Sequence, residues 1–272
     1  MTIRKVLLCM VFPLAFASLV FASQVDRNFS FIIFGDNRQS SSSTISQPEI
    51  FKKLIQEVNL HRDEVAFCVN LGDIINGNFH TAIYKLQMDE YLNSINKLKI
   101  PIYHVPGNHE IRESLEKEKI YKERIGKIYY SFKYKDCLFI ILDTEEIGHE
   151  GNIEGNQLLW LEKELHKDAS MKFIFLHRPF FPVYHSSKME REKFNQLLTL
   201  FKDNKVNAIF AGHDHFFHKN IHDGILQVIS GGAGAPLYTP PPSGIKKHHY
   251  CIVTVTGDNM QVKMVPVEKQ GK

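Results

Sequence analysis

Five apolar runs in this chain each end in a short loop that presents a carboxylate, an amide or an imidazole. They are FIIFGDNR (31–38), VAFCVNLGD (65–73), IPIYHVPGNHE (100–110), MKFIFLHRP (171–179) and NAIFAGHDH (207–215). A run of this kind suits a strand buried on both faces, and a following glycine marks where the strand gives way to a loop. When such strands alternate with helices they pair in parallel, which gathers the loops after them on one sheet edge. Ligands of α/β proteins bind at that edge. Alone, Asp36 reads as an ordinary turn residue, because Asp bonds nearby backbone N–H groups readily. The same context met five times predicts a polar cluster instead.

The segments between the runs agree with this design. Pro48 opens a stretch with Ile50, Leu54, Ile55 and Val58 at helical spacing. Further helices are expected near 81–98, 112–125, 156–167 and 188–203. Residues 129–143 read as a hairpin turning at Lys135 and Asp136. The last part, with ILQVISGGAGAP, HYCIVTVTGD and MQVKMVPV, is strand-rich, and loops 40–46 and 239–244 have rim chemistry. A β-sandwich flanked by helices fits this order better than one open sheet.

With 43% hydrophobic and 23% charged residues over 272 positions, one large domain is expected, spanning 23–272. The first 22 residues read as a secretory signal peptide: Arg4 and Lys5 precede an uncharged apolar stretch that ends at Val20-Phe21-Ala22. The alternative is an uncleaved anchor. Cleavage predicts a periplasmic or secreted protein with no stable membrane span. The whole chain has 33 basic and 30 acidic residues, so loss of Arg4 and Lys5 leaves 31 against 30, a net charge of about +1. That balance gives no support for a nucleic-acid partner. Cys9 lies in the leader, and Cys68, Cys137 and Cys251 sit in strand-like runs, where buried free thiols are expected.

The predicted cluster contains Asp36, Asp73, Asn108, His109, His177, His213 and His215. These offer oxygen and imidazole donors and no thiolate, the mixture that a two-cation centre needs. Extended backbone sends alternate side chains the same way, so His213 and His215 can face one site while Asp214 points elsewhere. Each fragment also has a bland reading, as a turn, a structural histidine or a surface loop.

LGD (71–73), GNHE (107–110), LHRP (176–179) and GHDH (212–215), in this order, resemble the calcineurin-like metallophosphoesterases. YYSF (129–132), LDT (142–144), QLLWLEKEL (157–165) and GGAGAPLY (231–238) are similar to the bacterial branch related to purple acid phosphatases. The resemblance implies an α/β four-layer sandwich, two central mixed β-sheets flanked by helices, and a two-metal hydrolase of phosphate esters. It implies that Asp73 bridges the cations, that Asn108, His177 and His213 complete one shell, and that Asp36 and His215 hold the other ion. His109 matches the family's catalytic histidine and, with Asn108, would touch substrate. A water activated by the cations would be the nucleophile.

One position departs from the pattern. Many members have histidine where this chain has Arg38, and a guanidinium has no lone pair to offer. The first metal site is therefore expected to be weaker or different. Asn76, three residues past Asp73, is either a further oxygen ligand or a turn residue before Gly77. Arg38 is either a clamp on substrate phosphate or an ion-pair partner of a loop carboxylate. The ligand set suits iron, manganese or zinc, divalent or of mixed valence. The expected substrate is a small phosphorylated molecule, with monoesters slightly favoured. The alternatives are a phosphodiesterase of the same fold or a non-catalytic binder of metal or phosphate ligands with a degenerate first site.

Overall fold

Alternation along β1 (Phe29–Phe34) sends Phe31 and Ile33 to one face and Ile32 and Phe34 to the other, and all four are fully buried. One strand thus serves two cores. The computed structural model describes residues 27–111, 114–185 and 189–268. The expected leader, its cleavage position and Cys9 lie outside these residues.

The first sheet runs β11 (Asn259–Pro266), β10 (His249–Thr256), β1, β2 (Cys68–Asn70) and β3 (Ile102–His104). β1, β2 and β3 are parallel, whereas β10 and β11 join antiparallel, with Ile33 between Cys251 and Val69. The second sheet runs β4 (Tyr130–Tyr134), β5 (Cys137–Ile141), β6 (Met171–Leu176), β7 (Ala208–Ala211), β9 (Ile225–Ser230) and β8 (Phe217–His222). Its inner pairs are parallel, and the strands at both edges are antiparallel.

Facing aromatic residues hold the sheets together. Phe31 and Phe67 from the first meet Phe139, Phe173, Phe175 and Phe210 from the second, and the Phe31 and Phe139 rings meet edge-on at 5.5 Å. Edge-on contacts of this kind add about 0.5–1.5 kcal/mol beyond area burial. The outer face of the first sheet is covered by α1 (Glu49–Val58), α2 (Thr81–Ile95) and α4 (Leu115–Arg124), which supply Phe51, Leu54, Tyr84, Met88, Tyr91 and Tyr121. The outer face of the second is covered by α5 (Gly155–Leu165) and α6 (Arg191–Asp203), through Leu161, Leu165, Leu197 and Phe201. Two mixed sheets flanked by helices are the expected architecture.

Two local differences matter. The run 100–110 is not one strand: β3 stops at His104, Pro106 and Gly107 break it, and Asn108 opens the short α3 (Asn108–Ile111). β8 is missed by the sequence reading because only its first two residues are buried and Lys219 to Ile221 face solvent, which hides the apolar signal of an edge strand. Cys68, Cys137 and Cys251 are free and buried, as expected. Among the described residues, no helix is long and apolar enough to cross a membrane.

Candidate metal centre

The parallel strands of both sheets deliver the predicted residues at their carboxyl ends: Asp36 after β1, Asp73 after β2, Asn108 and His109 after β3, His177 after β6, and His213 and His215 after β7. Asp36, Asp73 and His213 have left-handed backbone, with φ of 59°, 55° and 68°. Such geometry costs on the order of 1–3 kcal/mol per non-glycine residue and persists only where surrounding contacts hold it. Two glycines let the loops close on one another. A Cβ at Gly107 would lie 2.3 Å from the Asp73 nitrogen, and one at Gly212 would lie 2.7 Å from Asp36 Oδ2.

On one side of Asp73, acceptor atoms converge. His177 Nδ1 donates to the Leu71 carbonyl at 2.8 Å, which directs Nε2 inward. That Nε2 lies 3.1 Å from Asn108 Oδ1, 3.4 Å from Asp73 Oδ1 and 3.2 Å from His213 Nδ1. Burial disfavours a charged His177, but Asp73 and Asp36 outweigh it and raise its pKa. The same carboxylates would also favour a cation here. His213 goes the other way: burial, His177 and Arg178 push it down to about 2.

On the other side, Asp36, Asp73 and His215 bring one donor atom each within 4.8 Å of one another, and all three residues are buried. His215 Nδ1 donates to the Pro236 carbonyl at 2.8 Å, leaving Nε2 3.3 Å from Asp36 Oδ1. Asp36 Oδ2 accepts the His213 N–H at 2.9 Å, whereas its buried Oδ1 has no hydrogen-bond partner among the described residues. An orphaned carboxylate oxygen beside a fixed imidazole is costly without a cation. The residues present therefore fit metal on this side too. Arg38 enters here: its Nε lies 3.3 Å from Asp73 Oδ2. Its partner is the central carboxylate rather than a rim residue. Burial would raise the Asp73 carboxyl, but His109, His177, Arg38 and His213 hold it well below the usual carboxylate range.

His109 is fixed between the two sides. Its N–H donates to Asp73 Oδ1 at 3.1 Å, its Nδ1 donates to the Asn76 carbonyl at 2.6 Å, and its Nε2 lies 3.7 Å from Asp73 Oδ2. Asn76 acts as a loop tie: its side-chain Nδ2 donates to the Gln39 carbonyl at 2.8 Å and its N–H to Gln39 Oε1 at 2.9 Å.

Several residues that shape the site are not assigned by the sequence reading. Glu110 accepts the N–H groups of Gly107, Asp73 and Ile75 at 2.7, 3.0 and 3.2 Å, pinning together the loops that carry Asp73 and Asn108. Burial and the nearby Asp73 raise its carboxyl. Tyr238 stacks on His215 with centroids 4.1 Å apart, which places GGAGAPLY against the first side. Asp214 points away from the ligands, as the alternation predicts, and accepts His185 Nδ1 at 2.6 Å and the Tyr184 N–H at 3.2 Å. The His185 ring then lies 4.7 Å from that of His213, so the stretch 178–185 walls the site.

Residues 29–217 match the family model of the calcineurin-like phosphoesterases. The chain is 23% identical to the serine/threonine-protein phosphatase CPPED1 of Danio rerio over 83% of its own length and 76% of that protein's. It is 32% identical to a probable cyclic nucleotide phosphodiesterase of Fibrobacter succinogenes over 44% of its length and 48% of the relative's. A purple acid phosphatase from yellow lupin (Lupinus luteus) seeds superposes with a TM-score of 0.73 at 17% identity, covering 89% of this chain and 52% of that one. The last two matches take in about half of those proteins.

Proposed function

The chain belongs to the calcineurin-like phosphoesterases, metal-dependent hydrolases of phosphoric ester bonds, and from that premise we propose that it cleaves small phosphomonoesters at a two-cation centre. The observation that carries the reading is the convergence of ligand-type atoms from the loops after β1, β3, β6 and β7 on Asp73, with Asp36 Oδ1 left without a hydrogen-bond partner among the described residues. Asp73 lies between the two sides, Asn108, His177 and His213 would hold one ion, and Asp36 and His215 would hold the other. Bound iron, manganese or zinc would lower the pKa of water toward neutrality and offset charge on the phosphoryl oxygens.

The protein's own groups supply the rest. The Asn76 carbonyl fixes the His109 ring so that its transferable proton sits on Nε2, from which it passes to the leaving oxygen. A positioned acid of this kind contributes about 10² to 10⁴ in rate. Asp73 Oδ2, 3.7 Å from that nitrogen, stabilises the charged ring. Arg38 is paired with Asp73, and in this reading it would also meet substrate oxygens with charge-assisted hydrogen bonds. Export through removal of residues 1–22 belongs to the same reading, and the mass of the mature chain tests it.

The similarity to a probable cyclic nucleotide phosphodiesterase favours diesters as the second reading. Hydrolysis of a chromogenic monoester and a chromogenic diester by protein loaded with Mn²⁺, Zn²⁺ or Fe²⁺ separates the two. Faster monoester turnover supports the proposal. Faster diester turnover replaces it, and bound metal without turnover of either reverts to a binding role.

A further inference from the structure

Arg178 follows a ligand directly and has no part in the reading above. Its guanidinium is gripped on one side: Nη2 donates to Glu145 Oε2 at 2.8 Å and Nε lies 2.7 Å from Oε1. Glu145 is buried and is itself fixed by the Thr144 hydroxyl at 2.9 Å, while the Arg178 N–H reaches the same hydroxyl at 3.3 Å. The hydrogen bond from Nη2 and the ion contact at Nε hold the guanidinium against Glu145. The third nitrogen, Nη1, points into the centre and lies 3.3 Å from His213 Nε2.

We propose that Arg178 is a phosphoryl-oxygen ligand: Glu145 holds the guanidinium and Nη1 reaches into the centre beside His213. This rests on the metal reading above.

The test is titration of inorganic phosphate into wild type and Arg178→Lys, each with and without Mn²⁺. Lysine retains charge opposite Glu145 but, as a single point, cannot serve both partners. Without Mn²⁺ the two proteins should bind phosphate equally. With Mn²⁺, Arg178→Lys should bind it roughly 10- to 100-fold more weakly, the scale of a lost hydrogen bond to a charged group, while taking up Mn²⁺ at least as well. Equal phosphate affinity with Mn²⁺ bound overturns this proposal alone. Wild type that takes up no Mn²⁺ overturns the metal reading and this proposal with it.

Discussion

On the His177 side of Asp73, the donors Asn108 Oδ1, His177 Nε2 and His213 Nδ1 face one another, and the arginine present, Arg178, leans on the ring nitrogen that is not needed for ligation. On the Asp36 side there is one imidazole, His215, and Arg38 leans on Asp73 Oδ2, an oxygen that ligation would need. On the proposed reading, a cation on the second side would have to compete with a guanidinium that never gives up its charge, whereas one on the first would not. The two halves share a carboxylate and a fold, so their difference in affinity should trace to Arg38 and to the missing imidazole.

The largest effect should come from removing what the halves share. Asp73→Asn should weaken Mn²⁺ binding on both sides by more than about 100-fold, beyond the range for partners outside the ligand shell. Retention of either ion at wild-type affinity in a Mn²⁺ titration would show that Asp73 does not join them. His109→Ala should separate chemistry from ligation, leaving metal content unchanged while kcat falls by about 10² to 10⁴. Metal loss in that variant would mean that the ring holds the site rather than acts in it. A finer comparison sets His177→Ala against His215→Ala. The former should remove the tighter ion and the latter only the weaker one, and the reverse order of losses would invert the account.

The smallest effect concerns the scaffold behind the two halves. His249, fully buried against Gly232 near Asp36, is pushed down to about 4 chiefly by burial, and so is His104 in β3. Both folded values lie below the ordinary 6.5, so the unfolded chain takes up protons first. Their contribution is fully present above about pH 6.5, is lost as pH falls, and levels off below about pH 4. For His249 the loss should reach about 3 kcal/mol. For His104, which is partly exposed, it should be smaller. Urea unfolding of His249→Gln from pH 7 to 4 should show a shallower decline than wild type, and an equal slope would remove His249 from the explanation.

The ligand loops were legible in the sequence because an apolar run announces the strand and the next polar residue inherits the sheet edge. Asp36, Asp73, Asn108, His177, His213 and His215 all arrive by that rule. Glu110 did not, since its role exists only once Gly107, Asp73 and Ile75 come within reach of one carboxylate. Tyr238 over His215 and Asp214 with His185 are likewise meetings of distant segments that no local spacing encodes. Arg38 was legible as a departure from the pattern, but not its partner. An ion pair to a residue 35 positions away depends on the parallel register of β1 and β2.

The most direct test of the asymmetry is a Mn²⁺ titration of wild type and Arg38→His followed by calorimetry, with metal analysis at saturation. Wild type should bind in two steps, and Arg38→His should tighten the weaker step at least about 10-fold while leaving the tighter one unmoved. A single step in wild type, or an equal change in both steps, would contradict the account.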